Sequence, residues 1–88
     1  MTRESLIELA ADDYLVFVDG FDDAMLGVVN PRAGQTAVVV YDRDVCVTIL
    51  MTTRGLTRDQ AEEQFATDVE ATCDSDRSPV FLRRGEEW

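Results

Sequence analysis

Histidine and lysine are absent from these 88 residues. Their absence removes Ser-His and Cys-His nucleophile pairs, lysine Schiff bases, the phosphate-binding P-loop lysine and imidazole metal ligands. All eight basic residues are arginine: Arg3, Arg32, Arg43, Arg54, Arg58, Arg77, Arg83 and Arg84. That usage reads as the base composition of a GC-rich genome. Cysteine is equally sparse: Cys46 and Cys73 form no Cys-x-x-Cys pair, and two thiols alone do not complete a structural zinc site. We expect both to be packed and unreactive, as is usual in a reducing compartment. The longest apolar runs, such as "AVVVY", fall far short of a bilayer's thickness. No basic segment followed by an apolar stretch opens the chain, so we expect it to stay in the cytoplasm of its cell or host.

What is present is acid. Eighteen aspartates and glutamates against eight arginines give a formal charge of −10, which disfavours direct binding to nucleic acid or to anionic membranes. Hydrophobic residues still make up 45% of the chain, enough for a folded domain. We find no repeat, linker or low-complexity tract, so residues 1–88 read as one domain with a small core.

The pattern predicts an α+β fold, with a small antiparallel sheet of about three strands packed against two or three helices. "TRESLIELAADD" offers Thr2 or Ser5 as N-cap, Leu6, Leu9 and Ala10 as a buried face, and Glu4 and Glu8 in water. "YLVFV" (14–18) has strand composition. "MLGVV" and "TAVVVY", joined by the turn residues "NPRAGQ", predict an antiparallel hairpin whose continuous apolar character suggests helices on one face and partial cover on the other. Residues 43–54 have strand propensity, but Asp42 as N-cap, Arg54 in the last turn and Gly55 as stop favour a helix with a stripe of Val45, Ile49 and Thr53 beside Cys46 and Leu50. A capping box of Thr57 and Gln60 opens a long amphipathic helix with Ala61, Phe65 and Val69 inward. "DSDRS" reads as a loop and "PVFL" as a closing strand.

The blocks "DGFDDAMLGVV", "YDRDVCVTILM", "GLTRDQAEEQF" and "SPVFL", in this order, resemble a family of small uncharacterised proteins from tailed phages and their prokaryotic hosts. The matching positions are Gly20, Phe21, Asp22, Asp23, Ala24, Gly27, Tyr41, Cys46, Ile49, Leu50, Met51, Gly55, Ala61, Phe65, Pro79 and Phe81. The likeness runs from about residue 14 to 82 and departs from the family pattern at "TDVEATCDSDRSP". It implies a helix over 43–54 and a viral provenance, and assigns no catalytic residue.

Asp19, Asp22 and Asp23 form an acidic knot around Gly20. It fails the EF-hand pattern, because Gly20 follows the first aspartate directly and Asn30 stands where the closing glutamate belongs. We read it first as a chain reversal in which Asp19 and Asp22 bond nearby backbone N–H groups, and second as a contact surface. Tyr14, Phe17, Phe21, Tyr41, Phe65 and Phe81 are expected in the core, while Trp88 is either frayed or docked on a neighbouring surface. No catalytic residue, metal or cofactor is expected.

The composition points to a non-enzymatic accessory protein that binds a host or phage protein, with a homodimer as a further possibility. In one version, Asp19, Asp22, Asp23, Asp59, Glu62, Glu63 and Glu70 imitate nucleic-acid phosphate in a basic groove. The alternative is a nucleotide- or divalent-metal-binding domain, or a small hydrolase using Asp22 and Asp23 with magnesium.

Overall fold

A computed structural model of the chain describes residues 1–30, 36–73 and 77–83. It is an α+β fold of three helices and a three-stranded open sheet: α1 (Arg3–Ala10), β1 (Met25–Val29), β2 (Val38–Asp42), α2 (Arg43–Arg54), α3 (Arg58–Gln64) and β3 (Val80–Leu82). Most of the expected turn "NPRAGQ", the start of the "DSDRS" loop, Arg84 and Trp88 lie outside the described residues.

The helix boundaries follow local chemistry. Thr2 caps α1 in a capping box with Ser5, Asp42 caps α2 by accepting from the N–H groups of Asp44 and Val45, and Thr57 caps α3 in a box with Gln60. Gly55 ends α2 in the left-handed conformation (φ +63°), where a Cβ would be strained. Residues 43–54 thus form a helix despite their β-branched content, because both ends are capped and Cys46, Val47 and Leu50 have a core to bury in. In that helix Thr53 is exposed, and the deepest stripe runs through Cys46, Val47 and Leu50. In α1 the buried side is Leu6, with Ile7 and Ala10 partly covered, while Leu9 points to solvent.

Three further expectations need correction. The sheet order is β1-β2-β3, antiparallel between β1 and β2 as expected, but β3 lies parallel to β2. The cause is topological: α2 and α3 lie between β2 and β3, so the chain crosses over and returns in the same direction. "YLVFV" is extended without being a strand. Leu15 is buried and Val18 packs on the core, but Val18 N–H donates to the Tyr41 hydroxyl (2.9 Å) where a strand would donate to a ladder partner. The long helix after Thr57 stays α-helical only to Gln64; Phe65–Val69 is π-helical and Glu70–Thr72 a 3-10 turn.

One core joins all three helices to one face of the sheet: Leu6 from α1, Cys46, Val47 and Leu50 from α2, Ala61 from α3 and Phe65 just beyond it meet Met25, Val39 and Tyr41. Its centre is aromatic. Phe21 and Phe65 meet edge to face (5.8 Å between centroids), as do Phe65 and Phe81 (4.9 Å), while Tyr41 stacks on Phe81 (5.6 Å). Tyr14, expected in this core, is exposed instead. Met25 and Val28 both face inward although three residues apart. A bulge between Met25 and Gly27 absorbs the odd residue that would otherwise send them to opposite faces.

Candidate functional site

The acidic knot is a chain reversal held by an arginine. Gly20 adopts φ +91°, and a 3-10 turn over Asp22–Ala24 closes with Ala24 N–H donating to the Phe21 carbonyl (2.9 Å). The Asp19 and Asp22 side chains do not bond nearby N–H groups as expected. They accept from Arg3 of α1: Nε donates to both carboxylate oxygens of Asp22 (3.0 Å each) and Nη2 to Oδ1 of Asp19 (3.0 Å). The same guanidinium lies over the Phe17 ring, 5.0 Å from its centroid. The hydrogen bonds that Arg3 donates to Asp22, then to Asp19, raise its pKa and keep it charged. Asp23 is exposed beside this pair.

The acids of the α3 region divide in the same way. Glu70 accepts from Nε of Arg43 (2.9 Å), and Glu62 lies 3.6 Å from Nη1 of the same arginine. Arg43 is buried at the start of α2, with its guanidinium 5.4 Å from the Phe65 centroid. Eight residues apart, Glu62 and Glu70 would stand about 80° apart around a regular α-helix. The π-helical turns over Phe65–Val69 take more residues per turn and bring Glu70 back toward Arg43. Glu62 also approaches Arg58 (3.6 Å), which donates to Asp44 at 3.3 Å. Asp59 and Glu63 are exposed. Glu63 lines an open groove of about 370 Å³ with Leu56, Gln60, Gln64, Thr67 and Asp68.

Of the seven acids expected to form one surface, four are therefore engaged by Arg3 and Arg43; Asp59 and Glu63 remain together on α3, and Asp23 stands apart in the 3-10 turn. Among the described residues no three acidic or cysteine side chains converge on a point where a metal ion could sit. Cys46 is fully buried in α2; burial first, then the Asp42 charge, pushes its thiol up to about 12, far from a reactive thiolate. Burial likewise raises the Tyr41 hydroxyl, opposed in part by the hydrogen bond from Val18.

The surface that the acidic pattern did not reveal is the sheet's other side. Leu26 and Val29 of β1, Val40 of β2, and Val80 and Leu82 of β3 stand apart from the core cluster, while Val38, on the same side of β2, is fully buried. Leu26, Val29, Val80 and Leu82 are 39 to 42% exposed, and all three helices pack on the opposite face. Asp42 shares this parity but is buried, committed to capping α2. The signal was the apolar run itself: "MLGVV" and "AVVVY" are hydrophobic at both parities, where a strand with one wet face alternates. Among the described residues no helix is long and apolar enough to cross a membrane. Comparison of the chain with protein-family models, curated proteins and solved structures finds no match.

Proposed function

We propose that this chain is a non-enzymatic accessory protein, of the phage type its motifs resemble, that works by binding another protein through the open face of its sheet. The observation that carries this reading is the pairing of exposed aliphatic side chains on the sheet's outer side, Leu26, Val29, Val80 and Leu82, with a chain of net charge −10. Exposed aliphatic side chains on the two outer strands, Leu26 and Val29 on β1 and Val80 and Leu82 on β3, flank the half-buried Val40 of β2, and apolar patches on small domains mark interaction surfaces. The phosphate-imitating version draws on less. Its seven acids reduce to Asp23, Asp59 and Glu63 once Arg3 and Arg43 have taken theirs.

The two versions separate by salt and by substitution. Tagged wild-type protein should retain its partner at low and high salt, as an apolar contact does, and Val80→Glu or Leu82→Glu should release it. Replacing Asp23, Asp59 and Glu63 by their amides should leave retention unchanged. Retention lost with the amides and preserved in the sheet variants would overturn the sheet-face reading in favour of the acidic one. A thermal shift with magnesium or a nucleotide, abolished by Asp22→Asn, would overturn both in favour of ligand binding.

A further inference from the structure

We infer that the groove beside Leu56 is a second binding site, one that takes an arginine side chain presented by a peptide segment of a partner. Its volume of about 370 Å³ falls within the usual range for small-ligand clefts. Charge selects the sign of the occupant. Glu63 and Asp68 are the acids of the lining; Asp68 lies 3.8 Å from Arg54, whereas Glu63 meets no cation among the described residues. Glu62 and Glu70, on the same stretch of chain, both face Arg43, so Glu63 is the groove carboxylate still open to a guanidinium from outside. A chain of net charge −10 attracts that cation and repels a phosphate or carboxylate.

The rest of the lining separates a peptide from a bare cation. Gln60 and Gln64 each have the amide oxygen already committed: Gln60 Oε1 accepts from Thr57 N–H (3.1 Å), and Gln64 Oε1 accepts from Nη1 of Arg54 (2.8 Å). Each carboxamide is thereby oriented, and its NH2 group, which bonds to nothing among the described residues, is left as a donor. Two such donors four residues apart share one face of α3 and call for carbonyl acceptors. A peptide backbone supplies carbonyls; a polyamine has none. Leu56 gives an apolar surface for the methylene stem, and the planar fork of arginine matches the Glu63 carboxylate better than a lysine ammonium does. Thr67 and Asp68 come from the π-helical turn Phe65–Val69, and such turns are frequent at functional sites. The helices pack on the side of the sheet away from Val80 and Leu82, so this site is separate from the sheet face and does not rest on that reading.

An NMR titration of the full chain with an N-acetylated, C-amidated Ala-Arg-Ala tripeptide, in about 0.15 M salt to screen diffuse attraction, tests this. The side-chain NH2 signals of Gln60 and Gln64 should shift and saturate. The twin peptide with citrulline, which keeps the shape of arginine without its charge, should leave them in place. Glu63→Gln should weaken binding by at least about tenfold, the loss of one hydrogen bond between charged groups. Asp59→Asn, an exposed acid of α3 outside the groove, and Leu82→Glu on the sheet should bind as wild type does. No saturable shift, or an equal response to citrulline, would overturn the inference. Equal weakening by Glu63→Gln and Asp59→Asn would reduce the effect to net charge and overturn the site. Spermidine shifting the same NH2 signals at the same concentration would replace the peptide with a bare cation.

Discussion

Arg43 is the residue whose removal should cost the fold most per atom lost. It is buried at the start of α2, donates to Glu70 at 2.9 Å, approaches Glu62 at 3.6 Å and covers the Phe65 ring. Arg43→Ala removes a hydrogen bond between charged groups, about 1.5–3 kcal/mol, and a cation–π contact of about 0.5–2 kcal/mol. The orphaned carboxylates are 40% and 34% exposed, so they rehydrate and the loss stays short of the full cost of a stranded buried charge. The sum is about 2–4 kcal/mol, or a fall in melting temperature of roughly 10–25 °C for a domain of this size. Urea unfolding followed by circular dichroism measures it, and a double-mutant cycle with Glu70→Gln isolates the pair, with an expected coupling of about 1–2 kcal/mol. A loss below about 1 kcal/mol, or coupling near zero, would refute the idea that Arg43 fastens the π-helical segment to α2.

Three other outcomes follow from the same geometry. Tyr41→Phe strands the Val18 N–H and should cost about 1–3 kcal/mol, with faster hydrogen exchange at that amide as the local readout. Cys46 titrates at about 9 unfolded and about 12 folded, so the unfolded chain binds fewer protons above pH 9 and stability falls from there toward pH 12. The slope approaches about 1.4 kcal/mol per pH unit, and Cys46→Ala should flatten it between pH 9 and 10; an unchanged slope would assign it elsewhere. Arg3→Ala should change stability by less than about 1 kcal/mol, since its partner Asp19 is almost fully exposed and Asp22 half so. A larger loss in urea unfolding would mean that the reversal at Gly20 depends on that arginine.

What the sequence made legible was what local chemistry decides. Thr2, Asp42, Thr57 and Gly55 marked helix ends because capping is a short-range hydrogen-bonding problem, and the structure keeps all four. The direction of β3 was hidden, because pairing to β2 is settled by two intervening helices and not by "PVFL". The break at Phe65 was hidden for a similar reason: the stripe of Ala61, Phe65 and Val69 fits a regular helix, and only the distant Arg43 rewards the wider winding. For the site, the reversal at Gly20 was readable from glycine and aspartate spacing, whereas the Arg3 partner, sixteen residues from Asp19, was not. The sheet's second apolar face was present in the sequence as hydrophobic residues at both parities, but acid drew the functional reading elsewhere.

The all-arginine composition acquires a structural role that base composition does not supply. Among the described residues, Arg3 bridges Asp19 and Asp22, Arg43 bridges Glu62 and Glu70, and Arg58 bridges Asp44 and Glu62. Arg77 adds a tie across 65 residues to Asp12, whose other oxygen accepts from Tyr14 N–H. A guanidinium presents five donors in a planar fork and can hold two carboxylates at once in fixed directions, while an ammonium offers one compact charge on a flexible stem. Each bridge also draws a pair of acids inward to the same cation, which lowers the repulsion that a −10 chain of this size would otherwise carry along α3 and the knot. The acids held in this way fasten loops and helices to one another, and the sheet side opposite them exposes the aliphatic Leu26, Val29, Val80 and Leu82.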